Sequence, residues 1–202
     1  TPTEAAWDSP ESHIGVAKKI NKEIPNSHIL DQYSNMNNPN IHYETTAQEI
    51  LDSLDNKVSM IVAGVGTGGT ISGIAKKMKE FNSSIKIIGV DPYGSILGGG
   101  EEVFSYKVEG IGYDFFPEVL NNSLIDEYIK INDKDSFLMS RRLISEEGLL
   151  VGGSSGGAVW AALQVADQLD TGENCVVILP DSVRNYLSKF IDDDWMKKNN
   201  YH

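Results

Sequence analysis

Apolar residues fall in short runs separated by amphipathic stretches. Met60-Ile61-Val62-Ala63, Ile87-Ile88-Gly89-Val90 and Cys175-Val176-Val177-Ile178-Leu179 are near-continuous apolar runs of strand length, the pattern of strands buried on both faces. They predict strands over 58–63, 85–90 and 175–179, and residues 125–131 predict a fourth. Helical periodicity predicts helices over 69–80 and 133–147. Near the start, Ser9-Pro10 reads as an N-cap and first helical residue, with Ile14, Val16, Ala17 and Ile20 on the apolar face. Residues 27–31 predict a short strand and 34–40 an Asn/Pro-rich loop. Thr46-Ala47-Gln48-Glu49 matches a capping box opening a helix to Leu54. Residues 92–123 keep no period, and a loop of that length inside a compact domain is usually functional. A second glycine-rich stretch, 152–157, predicts a loop leading into a helix that ends near Leu169, and a helical tail carries Trp195 and Met196. This alternation argues for an α/β fold of three layers, a mostly parallel sheet with helices on both faces. Ligands of such sheets gather at the carboxyl ends of the strands, where both glycine stretches would sit.

The first glycine stretch has the makings of an anion site. A strand delivers the chain to Gly66-Thr67-Gly68-Gly69-Thr70, whose backbone N–H groups can turn inward, and the helix that follows adds the positive end of its dipole. Thr67 and Thr70 add hydroxyl donors. No lysine lies in the loop, which excludes a P-loop. Gly64, Gly66 and Gly69 fit the dinucleotide fingerprint, and Asp91 stands at about the 20-residue distance of a ribose-binding carboxylate. The plainer alternative is a tight turn that holds no ligand, and four glycines in the six residues 64–69 weigh against it.

Composition narrows the field. The 202 residues carry 17 basic and 29 acidic side chains, a net charge of −12, and no basic face is present for a nucleic acid. Lys76-Lys77 and Lys197-Lys198 read as solvated helix faces. No apolar run approaches the roughly 20 residues of a membrane span. The single cysteine, Cys175, heads a strand and can form no internal disulfide, which fits a reducing, cytoplasmic compartment. His13, His28, His42 and His202 lack ligand spacing, so no metal site is expected. The opening Thr-Pro-Thr, in place of Met, is what a piece of a longer polypeptide would show.

Three stretches share the expected ligand edge: 66–70, 110–114 and 152–157. A dinucleotide uses the first, with Asp91; a small phosphorylated ring cofactor uses all three. Gly-Thr-Gly-Gly-Thr at 66–70, Glu-Gly-Ile-Gly-Tyr-Asp-Phe at 109–115, Gly-Gly-Ser-Ser-Gly at 152–156 and Leu-Pro-Asp-Ser-Val-Arg-Asn-Tyr at 179–186 occur in that order. With Asp-Ser-Pro-Glu-Ser-His at 8–13 and Asn-Ser-His-Ile-Leu-Asp-Gln-Tyr at 26–33, they resemble the pyridoxal-phosphate β-family over almost the whole chain. Within it the resemblance is to the cystathionine β-synthase branch. In the cysteine synthase branch, small or apolar residues follow Glu-Gly-Ile-Gly.

The resemblance implies a tryptophan-synthase β-like architecture (fold type II) and pyridoxal 5'-phosphate as cofactor. Gly66, Thr67, Gly68, Gly69 and Thr70 would hold its phosphate, and Ser154 would face its pyridine nitrogen. Gly112 and Tyr113 would line the substrate side, with Asp181-Ser182 behind the ring. In purely structural roles, Ser154 would be a helix N-cap, Tyr113 a core residue and Asp91 a strand-end cap. The implied reaction is β-replacement, joining L-serine and L-homocysteine to give cystathionine; cysteine in place of serine would release hydrogen sulfide. An O-acetylserine-using cysteine synthase is the second reading, and a non-catalytic assembly partner the third. The resemblance further implies a homodimer or higher homo-oligomer. It places the Schiff-base lysine before residue 1, haem (in some members) earlier still, and regulatory domains beyond the end.

Overall fold

The computed structural model describes residue 1 and residues 5–202. Four parallel strands form one sheet in the order β3-β2-β1-β4, where β1 is Met60–Gly64, β2 Lys86–Pro92, β3 Glu127–Ile131 and β4 Cys175–Val177. Register pairs Met60 with Lys86 and with Cys175, and Ile88 with Glu127. Among the described residues, β4 is flanked by β1 alone.

Alternation along β1 divides the core. Ile61, Ala63 and Val65 face one way, packing with Ile71, Ile74 and Met78 of helix α4 (Gly69–Phe81) and with Ala47 and Leu51 of α3 (Ala47–Ser53). Met60 and Val62 face the other, with Ala161 of α6 (Gly153–Gln164) and Phe137 of α5 (Asp133–Glu147). The sheet is therefore covered on both faces, the three-layer α/β arrangement expected from the apolar runs. Removing one fully buried isoleucine such as Ile74 down to alanine would cost about 2–5 kcal/mol. The tail closes the second layer: Phe190 stacks on Phe137 with centroids 5.2 Å apart, ahead of α7 (Asp193–Lys198).

Several local expectations change. Helix α1 (His13–Glu23) is capped by Ser12, not Ser9. The Ser12 hydroxyl accepts from Gly15 N–H and donates to the Trp7 carbonyl, so Pro10 lies in the turn before the helix. No strand forms over 27–31: Asn26 and Asp31 both take left-handed backbone, and Asp31 turns the chain by accepting from Tyr33 N–H and Ser34 Oγ. Of the Asn/Pro-rich loop only 34–36 stays irregular, and 37–40 falls in α2 (Asn37–Ile41), with Pro39 in the first turn, where its missing N–H costs nothing. A π-helical turn, His42–Thr46, continues α2 into α3. Thr46 is thus mid-helix and caps nothing.

The second glycine stretch is also helical. Gly152 is the N-cap of α6, and residues 153–157 form its first turns. Their glycines serve close packing: a Cβ on Gly156 would meet the Ser136 carbonyl at 2.1 Å, and one on Gly157 would meet Ile131 at 2.4 Å. Helix α6 ends at Gln164, followed by a 3-10 turn at Ala166–Gln168 in place of a continuous helix to Leu169.

Candidate cofactor site

Two helix N-termini open at the carboxyl edge of the sheet, and neither has a side-chain cap. Helix α4 starts from Gly68, whose φ of +84° suits glycine, and α6 from Gly152. Apart from Gly69, whose N–H points at Thr67 Oγ1, the first-turn N–H groups of these 13- and 12-residue helices are available to an anion or an acceptor. The glycine loop is tightly enclosed. A Cβ on Gly66 would lie 2.5 Å from the Gly110 carbonyl, one on Gly68 2.5 Å from Leu120, and one on Gly69 1.9 Å from Asn38 Oδ1. Thr67 Oγ1 lies 3.0 Å from Asn38 Nδ2, and Thr70 Oγ1 3.2 Å from His42 Nε2. Backbone donors, two hydroxyls and an uncapped dipole make a donor set that fits a phosphate group.

The 110–114 stretch docks beside this loop. Gly112 N–H donates to the Val65 carbonyl just beyond β1, at 2.8 Å. Gly112 has φ +80°, and a Cβ there would meet Tyr106 Oη at 2.4 Å, so only glycine fits. Tyr113 is held through its backbone by Ser95, whose Oγ accepts from Tyr113 N–H and donates to its carbonyl. Its hydroxyl lies 3.1 Å from that of Tyr33, and its ring packs edge-on to Tyr33 and beside Phe115. Burial, then the hydrogen bond to Tyr33, raises the Tyr113 phenol well above its ordinary value. Tyr106 is pushed up to about 12, first by burial and then by Asp91. Both are neutral phenols at pH 7.

Ser154 is the second residue of α6, 4% exposed, and its hydroxyl has no hydrogen-bond partner among the described residues. It is not the N-cap. Its neighbourhood is fixed from β4's side: Gly152 N–H donates to the Asp181 carbonyl, and Val151 bridges to Ser182. Asp181 Oδ2 accepts from Tyr186 Oη at 2.6 Å, while its buried Oδ1 has no partner. Ser155 Oγ is likewise buried and unpartnered.

Asp91 is fully buried and does not merely cap its strand. Its Oδ2 accepts from Lys130 Nζ at 2.7 Å and from Gly98 N–H at 2.8 Å. Lys130 also donates to the Ser95 carbonyl. Oδ1 has no partner among the described residues but is enclosed with the rest of the side chain, so this carboxylate, ion-paired and holding the 94–99 loop, is not presented to a ligand, which removes the observation that favoured a dinucleotide. Sequence reasoning missed this ion pair, along with Asn38 and His42. Only the small residues Gly69 and Gly73, four apart on α4, hinted at a close neighbour there. Lys76 and Lys77 sit over the Tyr43 ring at 5.0 and 5.1 Å, and no metal-holding cluster occurs among the described residues.

Comparison with known proteins shows the family and the fold. The cystathionine beta-synthase of Dictyostelium discoideum is 58% identical over 205 residues, a match covering 100% of this chain and 41% of that protein. The cystathionine beta-synthase of Rattus norvegicus is 60% identical over 201 residues, covering 97% and 36%. The crystal structure of the O-acetylserine dependent cystathionine beta-synthase of Helicobacter pylori superposes with a TM-score of 0.82 at 42% identity, covering 87% of this chain and 57% of that one. The architecture is thus that of the fold type II enzymes, although the chain spans only about two-fifths of the length of these curated relatives. The sequence model of the family described as pyridoxal-phosphate dependent enzyme matches residues 2–181. On that match, and with a parallel sheet carrying an uncapped glycine loop at its carboxyl edge, the chain belongs to the pyridoxal-phosphate dependent enzymes.

Proposed function

We propose that these residues form part of a cystathionine β-synthase, which joins L-serine and L-homocysteine into cystathionine and water. The observation that carries the reading is the pair of uncapped helix N-termini at one sheet edge, one behind a glycine loop and one bearing Ser154, whose hydroxyl bonds to no other described residue. When bound, pyridoxal phosphate supplies an electron sink that lets a proton leave the substrate's α-carbon and a substituent leave its β-carbon.

The chain's own residues divide the remaining work. Gly66, Thr67, Gly68, Gly69 and Thr70 bind the phosphate through N–H and hydroxyl donors. Ser154 meets the pyridine nitrogen with a hydroxyl, which leaves that nitrogen largely uncharged where a carboxylate would protonate it. A moderate sink of that kind suits loss of a β-substituent. Gly112 lets backbone approach the amino acid closely, and Tyr113 offers a neutral phenol on the substrate side. The high identity to proteins named cystathionine beta-synthase supports this choice over cysteine synthase.

No lysine among these residues lies in a matching motif, so we place the cofactor's lysine in sequence outside residues 1–202. The 202-residue chain alone should then form no cystathionine. We also propose a homodimer, supported by the exposed apolar residues Ile20, Ile24, Ile29 and Leu30. A reducing, cytoplasmic setting is supported by the single free thiol of Cys175. The test is product analysis of the cofactor-loaded protein that carries these residues together with the cofactor's lysine. Cystathionine from serine and homocysteine supports the assignment; cysteine from O-acetylserine and sulfide, without cystathionine, overturns it in favour of cysteine synthase.

A further inference from the structure

One helical stretch, α2 running through the π-helical turn, lies along α4 just behind the glycine loop. Asn38 and His42 are four residues apart on it and present the same face. That face can approach because α4 has no side chains in the way. A Cβ on Gly69 would strike Asn38, and one on Gly73 would lie 2.1 Å from the Pro39 carbonyl and 2.8 Å from His42 Cβ. The two side chains reach the two hydroxyls of the loop, Asn38 to Thr67 at 3.0 Å and His42 to Thr70 at 3.2 Å.

Proton bookkeeping is tightly constrained at Thr67. Asn38 Nδ2 lies 2.8 Å from the Gln32 carbonyl, which can only accept, so the amide nitrogen and not the oxygen points this way. Its second N–H then goes to Thr67 Oγ1, which also accepts from Gly69 N–H at 3.4 Å. With both lone pairs engaged, the Thr67 hydroxyl can only donate, and nothing among the described residues takes its proton. At the second hydroxyl, burial keeps the His42 imidazole below its ordinary pKa and therefore neutral at pH 7. Its Nδ1 lies 3.0 Å from Thr46 Oγ1. A Thr46 hydroxyl donating to Nδ1 leaves the ring proton on Nε2, directed at Thr70 Oγ1.

We propose that Asn38 and His42 are positioning residues that fix the proton direction of both loop hydroxyls: each donates an N–H to a threonine oxygen from behind, so that Thr67 and Thr70 keep their own protons for the cofactor phosphate. This rests on residues 66–70 being the phosphate site. The π-helical turn gains a purpose, since it sets His42 and Thr46 in register with Thr70.

The test compares equilibrium affinity for pyridoxal 5'-phosphate with affinity for pyridoxal, which lacks the phosphate, in otherwise intact protein. Asn38→Asp replaces the donor by an acceptor and turns the Thr67 proton backwards. It should weaken the phosphate form about 10- to 100-fold while leaving pyridoxal unchanged. His42→Leu should act likewise, and His42→Gln, which retains a side-chain N–H, should restore most of the loss. Independently of any variant, the ¹⁵N spectrum of the His42 ring should place its proton on Nε2. A proton on Nδ1, equal weakening of both ligands, or no weakening of either overturns the inference. If Thr67→Ala and Thr70→Ala weaken phosphate binding while Asn38→Asp and His42→Leu do not, only the inference falls. If the threonine variants also bind normally, the phosphate site itself is misplaced.

Discussion

The hydroxyls of Tyr33 and Tyr113 lie 3.1 Å apart, and His13 Nε2 lies 2.6 Å from that of Tyr33. Tyr113 is therefore aimed by a residue 80 positions away, and its ring stays packed against Tyr33 and Phe115 if the hydroxyl is removed. Tyr113→Phe deletes one neutral hydrogen bond, worth about 1 kcal/mol. The expected outcome is a KM for amino-acid substrate raised about fivefold, with cofactor affinity unchanged. Steady-state kinetics beside equilibrium dialysis will check it, and lost cofactor affinity would place Tyr113 in the core's service instead.

Thr67→Ala or Thr70→Ala removes a hydroxyl donor to a charged group. Cofactor retention should fall by roughly 1.5–3 kcal/mol per variant. Cofactor absorbance should decline on dialysis while far-UV circular dichroism stays that of the parent. Retention equal to the parent in both variants would remove the loop from the phosphate.

Ser154→Asp puts a carboxylate where a hydroxyl meets the ring nitrogen and should favour that nitrogen's charged form. Turnover of serine should slow, with a changed cofactor spectrum in rapid-scan absorption, while affinity for the phosphate group holds. Ser154→Ala should have the milder effect, since the helix cap is Gly152 and no cap is lost. Parental kinetics in the aspartate variant would show that the ring lies against another part of the site.

Asp91→Asn leaves Lys130, whose side chain is 19% exposed, without its carboxylate. Breaking such a pair should cost about 3 kcal/mol. Calorimetry should show a lower Tm. The loss should also loosen the Ser95 loop that holds Tyr113, so KM should rise with it. An unchanged Tm would mean that the asparagine and water solvate Lys130 as well as the carboxylate does.

Strands β1, β2 and β4 are legible in the sequence because a strand buried on both faces tolerates little but apolar residues, and such runs have few other uses. The glycine loop is legible because glycines close together are costly unless backbone must turn or approach. Other segments mislead for equally physical reasons. In 152–157 the same glycines serve helix packing, which composition cannot distinguish from a loop. Asn37-Asn38-Pro39-Asn40 has the letters of a turn, yet its helix is stabilised by packing on α4, a long-range contact with no local signature. Asn38, His42, Asp91 and Lys130 act on the site through partners 28 to 39 residues distant, beyond the reach of any short motif.

The contact between α5 and α6 bears on how the site can move. Gly156 meets Ser136 and Ser140 with no room for a methyl group, and Ser140 Oγ donates to the Gly152 carbonyl. Two helices joined backbone to backbone cannot slide, since a close-packed contact has no slack to give up. The end of α6 that bears Ser154 is thus mechanically one piece with α5 and, through the Phe137–Phe190 stack, with the tail. Any adjustment to a ligand is then expected of the other wall, around Gly99 and Gly100, which turn at positive φ with open space around them. The Ser154 wall of the site is an anvil.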